Sequence, residues 1–464
     1  MEASHVEILR RLVSHLDTVP ESSPYWAERA SRVIATSTQD RDVYPVIDHT
    51  RGHGLFIYDL EGNEYLDVTA GVAVHALGWR PPDLIDFEES VHDVISELPG
   101  QDFDNIPQTL LAERLIEITP GRFPKQVFFT TSGGRAIESA VKAAIDITGR
   151  QRFVAFRPAF HGRTGYALAL TASKSIHREG FPQALPVVRT AYAYTYRSGT
   201  DGPAEAAQRA LEELRYAIEV EGTDIAGIVV EPIVGEGGII VAPPEFLQGL
   251  RRIADDYHAL LIADEVQTGL GRSGRWWSVE HAGVEPDIIA TAKALGGGHP
   301  LGAIIGRAPL FGRPSRHSET FSAEPRTALA SLFILKTIEE RRLRENAEAM
   351  GEILLSGLRE LQEQYECIGD VRGQGLMLGM ELVEDKASRR PATALRDAVV
   401  ERCVRQERLW ILGSGQSAIR LLPPLIMCEE EAREAISRID RALAAVAADD
   451  RFRSAPMFSV ASGR

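Results

Sequence analysis

At 464 residues the chain exceeds the roughly 250–300 residues that one hydrophobic core organises, so two domains are expected. Its 44% apolar and 25% charged residues are ordinary for a globular protein, and a formal charge of −15 argues against nucleic acid or anionic membrane as a general partner. No uncharged apolar run is long enough to span a bilayer, and Glu2 with Arg10-Arg11 breaks any secretory pattern at the start.

In chain order, residues 4–17 repeat apolar positions at helical spacing until Pro20 and Ser22-Ser23-Pro24. Residues 57–67 predict a hairpin turning at Glu61-Gly62-Asn63. From about residue 105, helices and short apolar strands alternate. The helix 109–119 precedes strand 126–130, helix 138–148 and strand 153–156. Helix 204–219, strand 225–230, helix 244–257 and strand 259–263 follow. Such alternation predicts a mainly parallel α/β sheet covered on both faces. After about residue 328 the pattern becomes α+β: one long helix over 327–365, strand 376–382, helix 393–406, strand 418–422 and helix 429–446. The expected organisation is an N-terminal segment, 1–75, that joins a small domain, then a large domain over 76–327. Residues 328–448 complete the small domain and 449–464 form a frayed tail. Cys367, Cys403 and Cys428 are scattered without metal-ligand spacing, so no metal is expected, and they read as reduced thiols of a cytoplasmic protein.

In open α/β sheets ligands bind at the C-terminal edge of the strands, and three segments fall there. Asp287-Ile-Ile-Ala-Thr-Ala-Lys293 runs from an apolar strand into three glycines. Of 51 basic residues six are lysines and 45 arginines, so a lysine at this position stands out. Unlike a guanidinium, its amine can lose a proton and act as a nucleophile. The strand 260–263 ends in Asp264-Glu265-Val-Gln267, where the acid is either structural or the counter-ion of a cationic ligand. The strand 126–130 leads into Thr131-Ser132-Gly133-Gly134 and a helix, either a serine-capped turn or a cradle for phosphate. Gly269-Leu-Gly271-Arg-Ser-Gly274 fits a dinucleotide fingerprint but leads from no strand into no helix, and that reading is rejected. Together, an amine nucleophile, an acid for a ring nitrogen and a helix-start phosphate cradle meet the requirements of pyridoxal 5'-phosphate.

On these motifs, from about Gly54 to Ile439, the chain resembles the class III (ω-amino acid) aminotransferases of fold type I. It is nearest the 4-aminobutyrate aminotransferase subgroup, which also contains amino-acid racemases. The resemblance implies a seven-stranded-type sheet, Lys293 as the Schiff-base lysine and Asp264 as partner of the pyridine nitrogen. It implies Gln267 beside the 3-hydroxyl and Ser132, Gly133 and Gly134 as the phosphate turn. In Phe160-His161-Gly162-Arg163-Thr164, Phe160 would stack on the cofactor ring, with His161 beside it. Thr320 resembles a threonine that reaches the neighbouring subunit's phosphate, which implies a homodimer, or a dimer of dimers, with shared sites. For substrate, Arg163 resembles the arginine that holds a distal carboxylate and Arg420 the arginine for an α-carboxylate. Glu231, in Glu231-Pro-Ile-Val-Gly-Glu236, resembles the acid that neutralises Arg420.

The expected reaction is transfer of an amino group from an ω-amino acid, 4-aminobutyrate- or ornithine-like, to 2-oxoglutarate. The alternative is racemisation, which requires a second acid opposite Lys293; Glu236 lies where the racemases carry an aspartate. Two departures from the family pattern stand out. Arg135 replaces the glutamate of S-G-[TA]-E-A, and Ser322-Ala323-Glu324 interrupts the glycine-rich stretch after Thr320.

Overall fold

A computed structural model describes residues 22–35, 42–98, 100, 102–449 and 451–452, together with Leu9 and Leu12. The helix expected over 4–17 and the tail after Asp449 lie almost wholly outside the described residues.

The centre of the fold is a seven-stranded sheet. Its spatial order is Lys125–Thr130, Gly302–Arg307, Ile288–Thr291, Leu260–Asp264, Ile225–Val230, Arg152–Arg157 and Val187–Ala191. Gly302–Arg307 runs antiparallel to both its neighbours and the other pairs are parallel. All six residues of Ile225–Val230 are buried, which is why this strand reads as a continuous apolar run. On one face lies the helix Gly133–Thr148, whose Ala136, Ile137, Ala140, Val141 and Ala144 pack with Phe153, Val229, Ile262 and Ile304. On the other, Pro203–Glu221 and Pro244–Asp256 bury Leu214, Ile218, Phe246 and Leu250 against Val154, Ile228 and Leu261. The expected α/β sheet, mainly parallel and covered on both faces, is the one observed.

Three smaller sheets accompany this core, the least of them the antiparallel pair Ile233–Val234 and Ile240–Val241. The hairpin Phe56–Tyr58 and Glu64–Asp67 is extended by Leu409–Trp410, which runs parallel to the second strand. Ile368–Gln374, Met377–Leu382, Ala418–Leu421 and Leu412–Ser414 form an antiparallel four-stranded sheet. The long helix expected over 327–365 is instead two, Pro325–Glu340 and Leu343–Gln364. Arg342 between them has φ 54, a left-handed conformation that a right-handed helix cannot pass through. No glycine or proline marks the break in Arg341-Arg342-Leu343-Arg344, so the pattern reads as unbroken.

The sheet brings the three edge segments together. Asp264 pairs in register with Ala290, three residues before Lys293. Gly302 pairs with Thr130, two residues before Ser132. A Cβ on Gly302 would lie 2.7 Å from the Ser132 carbonyl oxygen, so glycine is what lets this strand start against the Ser132 turn.

Candidate active site

A cavity of about 510 Å³ opens at the C-terminal edge of the sheet, and every candidate residue except Thr320 lines it. The helix Gly133–Thr148 begins on its wall. Ser132 is the N-cap, its Oγ accepting from the Arg135 N–H at 3.3 Å, and the backbone of Gly133 and Gly134 faces the cavity. A Cβ on Gly133 would come within 2.6 Å of a Val266 methyl, so the turn can pack here only as bare backbone. Backbone N–H groups at a helix start, with the positive end of its dipole, suit a phosphate.

Asp264 is 5% exposed. Its Oδ2 lies 2.8 Å from His161 Nδ1 and its Oδ1 accepts from the Val266 N–H at 3.1 Å. Burial works to lower the His161 pKa, but the hydrogen bond and charge of Asp264 outweigh it, and the net shift is upward. The His161 backbone is held too, its main-chain N–H donating to Thr171 Oγ1 at 3.0 Å. His161 Nε2 and Gln267 Oε1 are buried atoms with no partner among the described residues. Both residues line the cavity, so a bound group with polar edges fits there.

Lys293 follows the strand Ile288–Thr291 with φ 47. A non-glycine residue in this region costs about 1–3 kcal/mol, strain of the kind found at ligand sites. Burial and then Arg420 push its pKa down to about 8, against the opposing pull of Asp264, Glu231 and Glu236. Roughly a tenth of the amine is therefore neutral at pH 7.

The two acids of the 231–236 segment divide differently from expectation. Glu231 does not reach Arg420. Its Oε1 accepts from the Phe160 N–H at 2.7 Å and its Oε2 from the Gly235 N–H at 2.8 Å, so it shapes the backbone on which Phe160 sits. Burial foremost, with the charge of Asp264, raises its pKa to about 7. The acid paired with Arg420 is Glu236, whose Oε2 accepts from an Arg420 guanidinium nitrogen at 2.9 Å, while its Oε1 receives Lys174 Nζ at 3.1 Å. Burial works to raise the Glu236 pKa, but Arg420 and Lys174 prevail and hold it below the usual range. The register of Met377–Leu382 against Ala418–Leu421 places Arg420 opposite Gly379 and leaves it 4% exposed, and the Glu236 segment is fastened by Ser414 Oγ donating to the Gly235 carbonyl. Sequence alone shows two acids five residues apart; which one faces the arginine depends on the fold of the loop. Arg163 is exposed at the mouth, its guanidinium 5.8 Å from the Phe160 ring centre. Lys174 escapes sequence reasoning, since a lone lysine in a loop carries no signal.

Thr320 is exposed and outside this cavity. Its neighbour Glu319 accepts from Arg135 Nε at 3.0 Å and Nη2 at 2.7 Å, and from Thr131 Oγ1 at 3.1 Å. The positive charge that Arg135 brings beside the Ser132 turn is thus met by an acid from a distant segment. Among the described residues no group of three or more acidic, histidine or cysteine side chains is arranged to hold a metal, and no helix is long and apolar enough to cross a membrane.

The sequence model of the class-III aminotransferases matches residues 37–443. The 5-aminovalerate aminotransferase of Pseudomonas aeruginosa is 35% identical over 402 residues, which span 85% of this chain and 92% of that protein. An alanine/serine racemase of Pyrococcus horikoshii is 33% identical over 432 residues, 90% of this chain and 89% of its own length. Among solved structures, an ω-transaminase from Pseudomonas jessenii in complex with PMP superposes with a TM-score of 0.84 at 29% identity, covering 90% of this chain and 98% of that one.

Proposed function

Because this chain belongs to the class III aminotransferases, a pyridoxal-phosphate-dependent family of fold type I, we propose that it moves the amino group of an ω-amino acid to 2-oxoglutarate. The donor is of the 4-aminobutyrate or 5-aminovalerate kind. The observation that carries this reading is the 2.9 Å pair between Arg420 and Glu236 in the cavity that also holds Lys293. A donor without an α-carboxylate leaves that pair closed. Glutamate or 2-oxoglutarate brings an α-carboxylate that takes the place of Glu236 on Arg420, the bidentate geometry at which arginine excels. One pocket then serves both half-reactions.

Bound pyridoxal phosphate supplies an aldehyde for amines and a ring that takes up the electrons released when a proton leaves the substrate carbon. The roles of the side chains follow from their chemistry. Lys293 would offer the amine that holds the aldehyde and would carry the proton between substrate atoms. Asp264, held by His161, would partner the ring nitrogen. Ser132, Gly133 and Gly134 would hold the phosphate, Phe160 would cover the ring and Gln267, whose Oε1 is unpartnered, would meet the ring hydroxyl. Arg163, at the mouth, takes the distal carboxylate. Glu231 orients Phe160 through its backbone N–H.

Racemisation would need a free acid on the face opposite Lys293. Glu236, the acid available for it, is already shared between Arg420 and Lys174, which favours transfer.

We further propose a cytoplasmic homodimer with shared sites. Exposed Phe103, Ile106 and Leu110 lie on the segment that Gln108 ties to Ser322, beside exposed Phe321 and Thr320, an apolar surface that a second copy would cover. The buried free thiols Cys367 and Cys403 fit a reducing compartment.

The test supplies 4-aminobutyrate or 5-aminovalerate with 2-oxoglutarate and measures glutamate. Failure with every ω-amino donor, together with interconversion of the D and L forms of one amino acid, would replace transfer by racemisation. Lys293→Ala is expected to lose the visible absorbance of the lysine-bound cofactor; its survival would show that another amine holds the aldehyde.

A further inference from the structure

Arg135 occupies the third position of the helix Gly133–Thr148, whose N-cap is Ser132. A glutamate at that position closes a capping box by accepting from the N-cap backbone N–H and suits the positive end of the helix dipole. Arginine does neither. A cation in the first turn is unfavourable by itself, yet this one is not left alone. Its Nε and Nη2 both reach one oxygen of Glu319, 184 residues later, and the other oxygen of that carboxylate accepts from Thr131 Oγ1. Glu319 thus touches the residues on both sides of the Ser132–Gly134 turn. Its side chain is 12% exposed, against 53% for Arg135. The next residue, Thr320, points the chain back to the exposed surface.

We propose that Arg135, Glu319 and Thr131 form a positioning clamp for the cofactor phosphate, fastening the segment that ends in Thr320 to the turn that begins at Ser132. The inference rests on the reading of Ser132–Gly134 as the phosphate cradle. The charge logic is asymmetric. Glu319 brings a negative charge beside an anion site, and Arg135 cancels it. Removing Arg135 alone takes away a cation that offsets Glu319 while Thr131 still holds the carboxylate beside the turn, whereas removing both charges takes the anion away as well. Because its arginine is half-exposed, the ion pair adds little to global stability, so cofactor affinity and thermal stability separate its role from a merely structural one.

The experiment titrates pyridoxal phosphate into apoenzyme and follows the visible absorbance for wild type, Arg135→Ala, Glu319→Gln and the double variant, with thermal unfolding of each apoprotein. Arg135→Ala is expected to weaken pyridoxal phosphate binding on the order of tenfold. Adding Glu319→Gln should recover most of that loss, and the apo melting temperatures should stay nearly constant. Wild-type affinity in Arg135→Ala, or a double variant no better than the single one, would overturn the clamp while leaving the cofactor reading intact. Absence of absorbance in the wild type itself would overturn both.

Discussion

Replacing Glu236 by glutamine keeps the side chain's size and removes its charge, which isolates the pair with Arg420. Two unit charges about 4 Å apart attract by about 4 kcal/mol at an effective dielectric of about 20. Taking both groups out of water cancels most of that gain. The second partner, Lys174, has a side chain 44% exposed, so its share is further screened. A net bias of about 1.5 kcal/mol remains, or about tenfold in each half-reaction. In Glu236→Gln, Arg420 is uncompensated and draws the carboxylate of an ω-amino donor into the wrong pose, so kcat/KM for that half-reaction falls about tenfold. Glutamate no longer has to displace an acid, so its half-reaction gains by a similar factor. The donor preference therefore shifts by about a hundredfold. Rapid-mixing absorbance of the cofactor, one donor at a time and without acceptor, measures each half-reaction directly. Equal losses for both donors, or a preference changed less than about threefold, would refute the reasoning.

The lowered pKa of Lys293, about 8, predicts that capture of pyridoxal phosphate by apoenzyme speeds up roughly tenfold between pH 7 and 9. Arg420 is one cause of the depression, so Arg420→Met should move the midpoint upward; stopped-flow absorbance across pH reads both. The same lysine makes the apoprotein more stable as pH rises from about 8 towards 10.5, because the unfolded chain there still binds a proton that the folded one has lost. Denaturant midpoints of wild type and Lys293→Met separate this contribution from other groups. Asp264→Asn should retain cofactor but lower turnover by one to three orders of magnitude, the roughly 1–3 units by which a nearby carboxylate raises a ring nitrogen's pKa; unchanged kcat would dismiss its role. Glu231→Gln leaves one of two N–H groups, on half-buried Phe160 or buried Gly235, without its acceptor and should cost about 1–3 kcal/mol, read from urea unfolding.

Much of this molecule was legible from local pattern. The buried run Ile225–Val230 reads as a strand of a covered sheet because both its faces are apolar. Lys293, Asp264 and Ser132 stand out because each follows such a run by one or two residues, where the backbone leaves the sheet. Other elements carry no local mark. Gly302–Arg307 begins with a glycine and has another at its fifth position, and its antiparallel direction is set by the chain on either side. The helix break at Arg342 lies in a strongly helical stretch with no breaking residue.

Chemical type was thus decided by the sequence itself: an ionisable amine, an acid and a bare turn at three strand ends specify a cofactor whatever their mutual distance. Pairing was decided only by tertiary structure. That Glu236 and not Glu231 meets Arg420, that Lys174 shares it, and that Glu319 answers Arg135 all depend on segments far apart in the chain. The physical reason is range. Propensity and hydrophobic period act over a few residues, whereas a charge finds its partner through space, at hydrogen-bond distances of about 3 Å that only the completed packing sets.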